Sequence, residues 1–390
     1  MPPAGSSPER PLRFQRPSLP SSAAIERYLS LSRARRWYSN FGPCWELLRD
    51  RLSAATGATA VPVSSATSGL QVALAALRSR GPRRAAEVLV PSFAFPAPAQ
   101  AIVWNGLRPV FVDVAADHWH LDPDALADAL ERRRGDIAAV VALSSFGTPP
   151  PPDVRGAWEA ACDEAGVPLL VDSAAGFGAV AADDRPIGAQ GTAEVVSFHA
   201  TKPMAAGEGG AVLTRDPELA EEIRRRGNFA FDADHEPVSA YGTNAKLGEP
   251  AAAIALAAFD ALPLQLAARR ERATRLLAEL AGFEAQAGHE HGVWQFVPVA
   301  AEDARQRDAV LGAAAGRVEL RTYYGALHRT AAFGEFDRAG PLPVTEALAD
   351  RMLSLPMAVD LSPAELDLVA EVVADGTARA GAASAHARRA

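Results

Sequence analysis

Short runs of apolar, often β-branched residues alternate with longer stretches in which apolar side chains return every three or four positions. The runs at 61–63, 88–90, 110–112, 137–143, 167–171, 195–198 and 211–214 predict strands. Between them the helical period predicts helices over 23–37, 45–52, 70–77, 97–104, 124–133, 154–165 and 217–226. Continuous apolar strands separated by helices predict an α/β architecture, a mixed and mostly parallel sheet sandwiched by helices. Beyond residue 250 the pattern changes. Helices are expected over 251–258 and 263–280, the second as a hinge, followed by strands over 293–299 and 318–323 and helices over 344–353 and 363–374. That order predicts a smaller α+β C-terminal domain. The expected organisation is a mobile tail over 1–22, a large domain over 23–258, a small domain over 259–375 and a disordered tail over 376–390.

Composition narrows the function classes. The 390 residues are 48% hydrophobic and 22% charged, enough to bury two cores. A net charge of -8 gives a nucleic-acid role no electrostatic support. Two cysteines, Cys44 and Cys162, are too few for a disulfide framework or a metal cluster. No apolar run in the sequence reads as a membrane span and the N-terminus lacks a signal-type apolar region, so a cytoplasmic protein with no membrane contact is expected.

The chemistry concentrates between two of the expected strands. Ser197-Phe-His-Ala-Thr-Lys202 leads into a turn with Gly207, Gly209 and Gly210. A lysine between two buried strands loses hydration, which lowers its pKa and suits an amine that attacks a carbonyl. Ser197 and Thr201 supply hydroxyls beside it, and the glycines permit close backbone approach to a ligand. Another expected strand ends at Asp172. A Schiff-base lysine with an acid for a pyridinium nitrogen is the minimum set for pyridoxal phosphate. Ser64-Ser-Ala-Thr-Ser-Gly69 precedes a helix, where free N–H groups and the helix dipole suit a phosphate, although such residues also serve as plain N-caps.

The chain resembles the DegT/StrS-type aminotransferases, fold-type-I enzymes dependent on pyridoxal phosphate that aminate keto sugars. The resemblance rests on Asn40-Phe-Gly-Pro43, the Ser64–Gly69 segment, Pro91-Ser-Phe-Ala-Phe95, Val171-Asp172-Ser-Ala and Ser197-Phe-His-Ala-Thr-Lys202. It continues through Gly207-Glu-Gly-Gly210, Gly242-Thr-Asn244-Ala-Lys-Leu-Gly-Glu249 and Tyr324-Gly-Ala-Leu-His328, in order and spacing.

The resemblance implies that Lys202 forms the Schiff base and then shuttles a proton, and that Asp172 pairs with the pyridinium nitrogen. It implies Phe95 on the cofactor ring, and Thr67, Ser68 and Ser197 on the phosphate. Asn244 would reach the phosphate of a neighbouring subunit, which implies a homodimer with shared active sites. His328, Tyr324 and Lys246 would lie toward the substrate. The implied donor is an amino acid, L-glutamate, and the implied acceptor a nucleotide-linked keto-deoxysugar, with a keto-cyclitol as the alternative. A non-catalytic regulator on the same fold is the rival from another class. Four positions depart from the family pattern: Ala175 replaces a usual Gln or His, Ser144-Ser-Phe-Gly147 a usual His-Leu-Tyr/Phe-Gly, Lys246 a usual Arg and Ala326 a common Pro. Lys202 argues against the dehydrating members, which have His there. Acceptor choice is expected to reside in loops such as 232–241.

Overall fold

A computed structural model describes residues 11–80, 84–188, 190–231, 236 and 241–387. Its N-terminal two-thirds alternate helices and strands: α1 (Ser22–Arg35), α2 (Pro43–Thr56), β1 (Thr59–Val63), α3 (Ala66–Arg78), β2 (Glu87–Pro91), α4 (Ala97–Trp104) and β3 (Arg108–Val112). There follow α5 (Pro123–Arg132), β4 (Ile137–Leu143), α6 (Pro152–Ala165), β5 (Leu169–Asp172), β6 (Ala193–Ser197), β7 (Gly210–Thr214) and α7 (Pro217–Arg226). The seven strands form one sheet in the order β1-β7-β6-β5-β4-β2-β3. Only β7 runs against its neighbours.

Both faces of this sheet are covered, which is why its strands read as unbroken apolar runs. Along β4, Ala139 and Val141 pack into the core shared with α2, α3 and α8 (Glu249–Ala278), while Val140 and Ala142 pack with α5 and α6. Val88 and Val90 of β2 face the first core and Leu89 the second. The period-2 alternation therefore exists, with both of its faces apolar.

A separate core gathers the C-terminal elements β8 (Val297–Ala300), α9 (Ala304–Ala314), α10 (Pro343–Arg351), β9 (Met352–Leu355) and α11 (Pro363–Ala387). Several expectations change here. Residues 318–323 form no strand; Val318 and Arg321 make single bridges to Leu12 and Ser354. The strand partner of β8 is instead β9, which was expected to be the end of a helix. The helices expected over 251–258 and 263–280 are one helix, α8, with Pro263 inside it, so the boundary expected after 258 falls within a helix. By length and composition α8 could also cross a membrane, contrary to the sequence reading; here Ala252, Ala253, Ala255 and Leu256 are core residues.

Both expected tails carry structure among the described residues. Leu12 exchanges backbone hydrogen bonds with Arg317 and Glu319, Phe14 is buried, and Arg16 pairs with Asp360 at 2.7 Å and Glu365 at 2.5 Å. A strap held by one buried ring and one doubly paired arginine shows no period, so its order was not legible as a pattern. At the other end α11 continues through Gly376 to Ala387; a Cβ on Gly376 would lie 2.4 Å from Val310 Cα, so only glycine lets α11 approach α9 this closely.

Candidate active site

Parallel strands deliver their C-terminal residues to one edge of the sheet, and ligands of α/β proteins bind beyond that edge. Leu143 pairs with Asp172, Asp172 with Val195, Ser197 with Gly210, and Gly210 with Val63. Ser144, Asp172, Ser197 and the start of α3 therefore share a rim. Gly210 is required there, because a Cβ would sit 2.6 Å from Val196 O and 2.9 Å from Ala66 N. Its absence lets α3 point its first turn at the rim.

A cavity of about 390 Å³ opens at this edge. Asp172 and Lys202 line its interior, with Thr67, Phe95, Ser197 and Tyr324 on its walls. Asp172 is buried, and its Oδ1 accepts from Ala174 N at 2.9 Å. Burial pushes its carboxyl up to about 6, against the pull of that N–H and of the Lys202 charge. Burial also pushes the Lys202 amine down to about 8, against the raising effect of Asp172. The amine is thus neutral in about a tenth of molecules one pH unit below that value, far more than a free lysine. Burial and the Asp172 charge raise the Tyr324 phenol, so it stays protonated as a donor.

Lys202 Nζ donates to Gln295 Oε1 at 2.9 Å. Gln295 Nε2 donates to Thr201 Oγ1 at 3.2 Å, and Thr201 Oγ1 pairs with His199 Nδ1 at 2.8 Å. Gln295 carries no motif of its own and lies 93 residues from the lysine, so sequence reading missed it. Gln15, from the N-terminal strap, also lines the cavity unforeseen.

At the first turn of α3, Ser65 is the N-cap and its Oγ accepts from Ser68 N at 3.1 Å, while Ser68 Oγ accepts from Ser65 N at 3.1 Å. This capping box engages both polar groups of Ser68, which does not line the cavity. The N–H groups of Ala66 and Thr67 lack intrahelical acceptors and border the cavity instead. Phe95 stands on the cavity wall, 55% exposed. Tyr324 stacks on Phe146 with centroids 4.3 Å apart, and a positive φ of 59° at Phe146 turns its ring there.

Besides Ser68, three expected residues lie away from this cavity. His328 is buried, its Nδ1 bonded to Ser92 Oγ at 2.7 Å and its Nε2 to Glu346 at 3.2 Å; it fixes the Tyr324 segment and does not face the cavity. Half-buried Lys246 donates from Nζ to Asn228 Oδ1 at 2.8 Å and lies over the Phe229 ring, so the polar and aromatic groups beside it hold it off the cavity. Asn244 is exposed on the same segment. The expected specificity loop, 232–241, lies outside the described residues except at 236 and 241.

The pattern of the DegT/DnrJ/EryC1/StrS aminotransferase family matches residues 22–374. Protein Rv3402c of Mycobacterium tuberculosis is 36% identical over 387 residues, covering 95% of this chain and 90% of its own. A dTDP-4-amino-4,6-dideoxy-D-glucose transaminase of Shigella dysenteriae is 29% identical over 249 residues, 64% of each chain. The crystal structure of DesI in the presence of its TDP-sugar product superposes with a TM-score of 0.86 at 34% identity, over 97% of this chain and 96% of that one. The donor set agrees with the pyridoxal phosphate of these enzymes: a desolvated amine, a buried carboxylate and two unpaired N–H groups converge on one cavity. The chain is a fold-type-I, pyridoxal-phosphate-dependent transaminase and belongs to the DegT/DnrJ/EryC1/StrS aminotransferase family.

Proposed function

We propose that the protein transfers an amino group from L-glutamate to a ketone of a nucleotide-linked deoxysugar, from sites shared between two protomers. The observation that carries the reading is the desolvated Lys202 amine beside buried Asp172, in a cavity whose fold matches DesI over 97% of this chain. DesI was crystallised in the presence of its TDP-sugar product, which supports a nucleotide-linked sugar as the acceptor class. The Shigella dysenteriae relative is named for a dTDP-amino sugar, in agreement.

Bound pyridoxal phosphate supplies a carbonyl that carries the amino group between substrates and a ring that accepts an electron pair. In the proposed site, Asp172 would pair with the ring nitrogen and keep a proton on it by charge attraction. The Ala66 and Thr67 N–H groups, with the Thr67 and Ser197 hydroxyls, take the phosphate at the positive end of α3. Phe95 covers the ring. Lys202 Nζ holds the cofactor between turnovers and moves the proton at the substrate carbon that gains or loses nitrogen. Gln295 gives the released amine an acceptor. Ser144 and Ala175 leave these groups in place, so the departures alter the pocket and spare the lysine chemistry.

Among the described residues no arginine lines the cavity. A glutamate carboxylate and a nucleotide diphosphate both call for cationic partners. Asn244, exposed, and Lys246, half-buried, lie off this cavity, and the homodimer reading gives them to a second protomer's site. The test follows the visible band of the full chain loaded with pyridoxal phosphate. L-Glutamate is expected to bleach it, a dTDP-4-keto-6-deoxysugar to restore it with appearance of an amino sugar, and Lys202→Ala to show neither change. Restoration by a keto-cyclitol in place of the nucleotide sugar would overturn the acceptor class. A band indifferent to every amino acid would overturn the donor half.

A further inference from the structure

Behind the cavity lies a carboxylic acid that the proposed cycle does not use. Glu194, the second residue of β6, is fully buried, and so is Ser173 beside it. Ser173 Oγ makes a short hydrogen bond to Glu194 Oε1 and a 2.7 Å bond to Ser144 Oγ. Ser144 ends this line on the cavity wall, and its N–H donates to Asp172 O at 2.9 Å. Three side chains thus connect a sealed carboxyl to the site where this sequence departs from its family. We propose that Ser144, Ser173 and Glu194 form a hydroxyl relay that makes Ser144 a hydrogen-bond donor or an acceptor toward the cofactor cavity, according to the proton on Glu194. It rests on the cavity assignment made above.

The two states follow from the bonding capacity of each group. With Glu194 ionised, Oε1 accepts the Ser173 hydroxyl, Ser173 Oγ accepts the Ser144 hydroxyl, and Ser144 turns lone pairs to the cavity. With a proton on Oε1 every bond reverses, and the Ser144 hydroxyl points its hydrogen inward. No backbone group need move, because Oε2 keeps its bonds from Gly188 N at 2.5 Å and Gln190 N at 3.1 Å in both states. Gln190 Nε2 donates to Oε1 at 3.1 Å and fits its remaining lone pair in either state.

The charged group facing Glu194 is Arg155 of α6, itself paired with Asp183 at 2.5 Å. From β5, Asp172 adjoins Ser173 in sequence. Burial pushes the Glu194 carboxyl up to about 7, while Ser173, the two N–H groups and Arg155 pull it down. The reversal therefore falls in the neutral range.

Two measurements on the full-length protein test the relay. In difference infrared spectra across about pH 5 to about pH 9, a protonated-carboxyl band titrating near neutrality is expected to be lost in Glu194→Gln, while the Asp172 carboxyl titrates about one unit lower in both proteins. Pyridoxal phosphate affinity, measured over the same range, is expected to carry a step of about threefold to tenfold in the wild type that Ser173→Ala and Ser144→Ala lack. Asp172 and Lys202 also titrate there, so the readout is the difference between wild type and variant. Ser173→Ala keeps all the backbone bonds of Glu194 and decides the matter even where Glu194→Gln fails to fold. A step of unchanged size and midpoint in Ser173→Ala overturns the relay, as does the absence of a titrating band that Glu194→Gln removes. A misplaced cavity has its own signature: Lys202→Ala and Ser144→Ala then bind the cofactor like the wild type while the infrared band still titrates, which overturns the relay's aim at the cofactor.

Discussion

Among the described residues Lys202 has one hydrogen-bond acceptor for its amine, Gln295 Oε1 at 2.9 Å, and that glutamine is in turn held by Thr201. In Gln295→Leu the charged amine loses its acceptor in a place already poor in water, so its protonation midpoint is expected to drop below about 8. A hydrogen bond to a charged group contributes on the order of 1.5 kcal/mol, equivalent to about one pH unit. Gln295→Glu places a carboxylate at the same distance and is expected to move the midpoint the other way. The pH dependence of cofactor capture by the apoprotein, followed as growth of the visible band, reads both shifts. Identical midpoints in all three proteins would leave Gln295 a packing residue. At this scale the sequence was informative where chemistry sits at the end of an apolar run: Asp172, Ser197 and Lys202 are all found on the cavity. Gln295 sits on a chain segment with no chemical motif to mark it, and only folding brings it to the lysine. His328 shows the opposite case, a polar residue in a family motif whose hydrogen bonds to Ser92 and Glu346 turn it into the protein.

Helix α2 illustrates how an element is set by a partner far along the chain. Gly42, its N-cap, has no side chain to close the first turn. Glu249, the first residue of α8, takes that role: it accepts from Cys44 N at 2.8 Å, Trp45 N at 2.9 Å and Ser32 Oγ at 2.6 Å while fully buried. Glycine at 42 is also needed for space, because a Cβ would lie 2.7 Å from Glu249 Cδ. Glu249→Ala strands three buried donors and is expected to cost about 3 kcal/mol, whereas Glu249→Gln keeps an acceptor and is expected to cost about 1 kcal/mol. Urea unfolding midpoints measure both, and equal losses would show that charge at the helix end, not hydrogen bonding, carries the effect. The sequence displayed α2 and the start of α8 as separate patterns, and nothing in either announced the link. Strand–helix alternation was legible through β7 because both sheet faces are apolar and each helix has a clear period. The β8–β9 pair was not, since Met352–Leu355 follows α10 without a turn signal and reads as its continuation.

For the molecule as a whole, the cavity supplies the amine, the carboxylate and the N-terminus of α3, but no arginine among the described residues. Asn244 and Lys246 sit outside that cavity, with Lys246 tied to Asn228 and Asn244 exposed. In the proposed shared-site arrangement Lys202 of one protomer would work with Asn244 of the other, so the two residues can be separated genetically. Lys202→Ala homodimers are expected to be inert toward glutamate, and Asn244→Ala homodimers to bind pyridoxal phosphate about tenfold more weakly, from the loss of one hydrogen bond to a charged group. Mixing the two variants under conditions that exchange protomers gives hybrids in half of the dimers. Each hybrid has one site with both substitutions and one with neither. About a quarter of all sites are then intact, the consequence of a two-fold assembly with residues donated across the axis. Glutamate-dependent bleaching at limiting cofactor, which only the intact sites support, should recover to about that fraction. If Asn244 instead served its own protomer, each hybrid would hold one Lys202→Ala site and one Asn244→Ala site, and mixing would restore nothing.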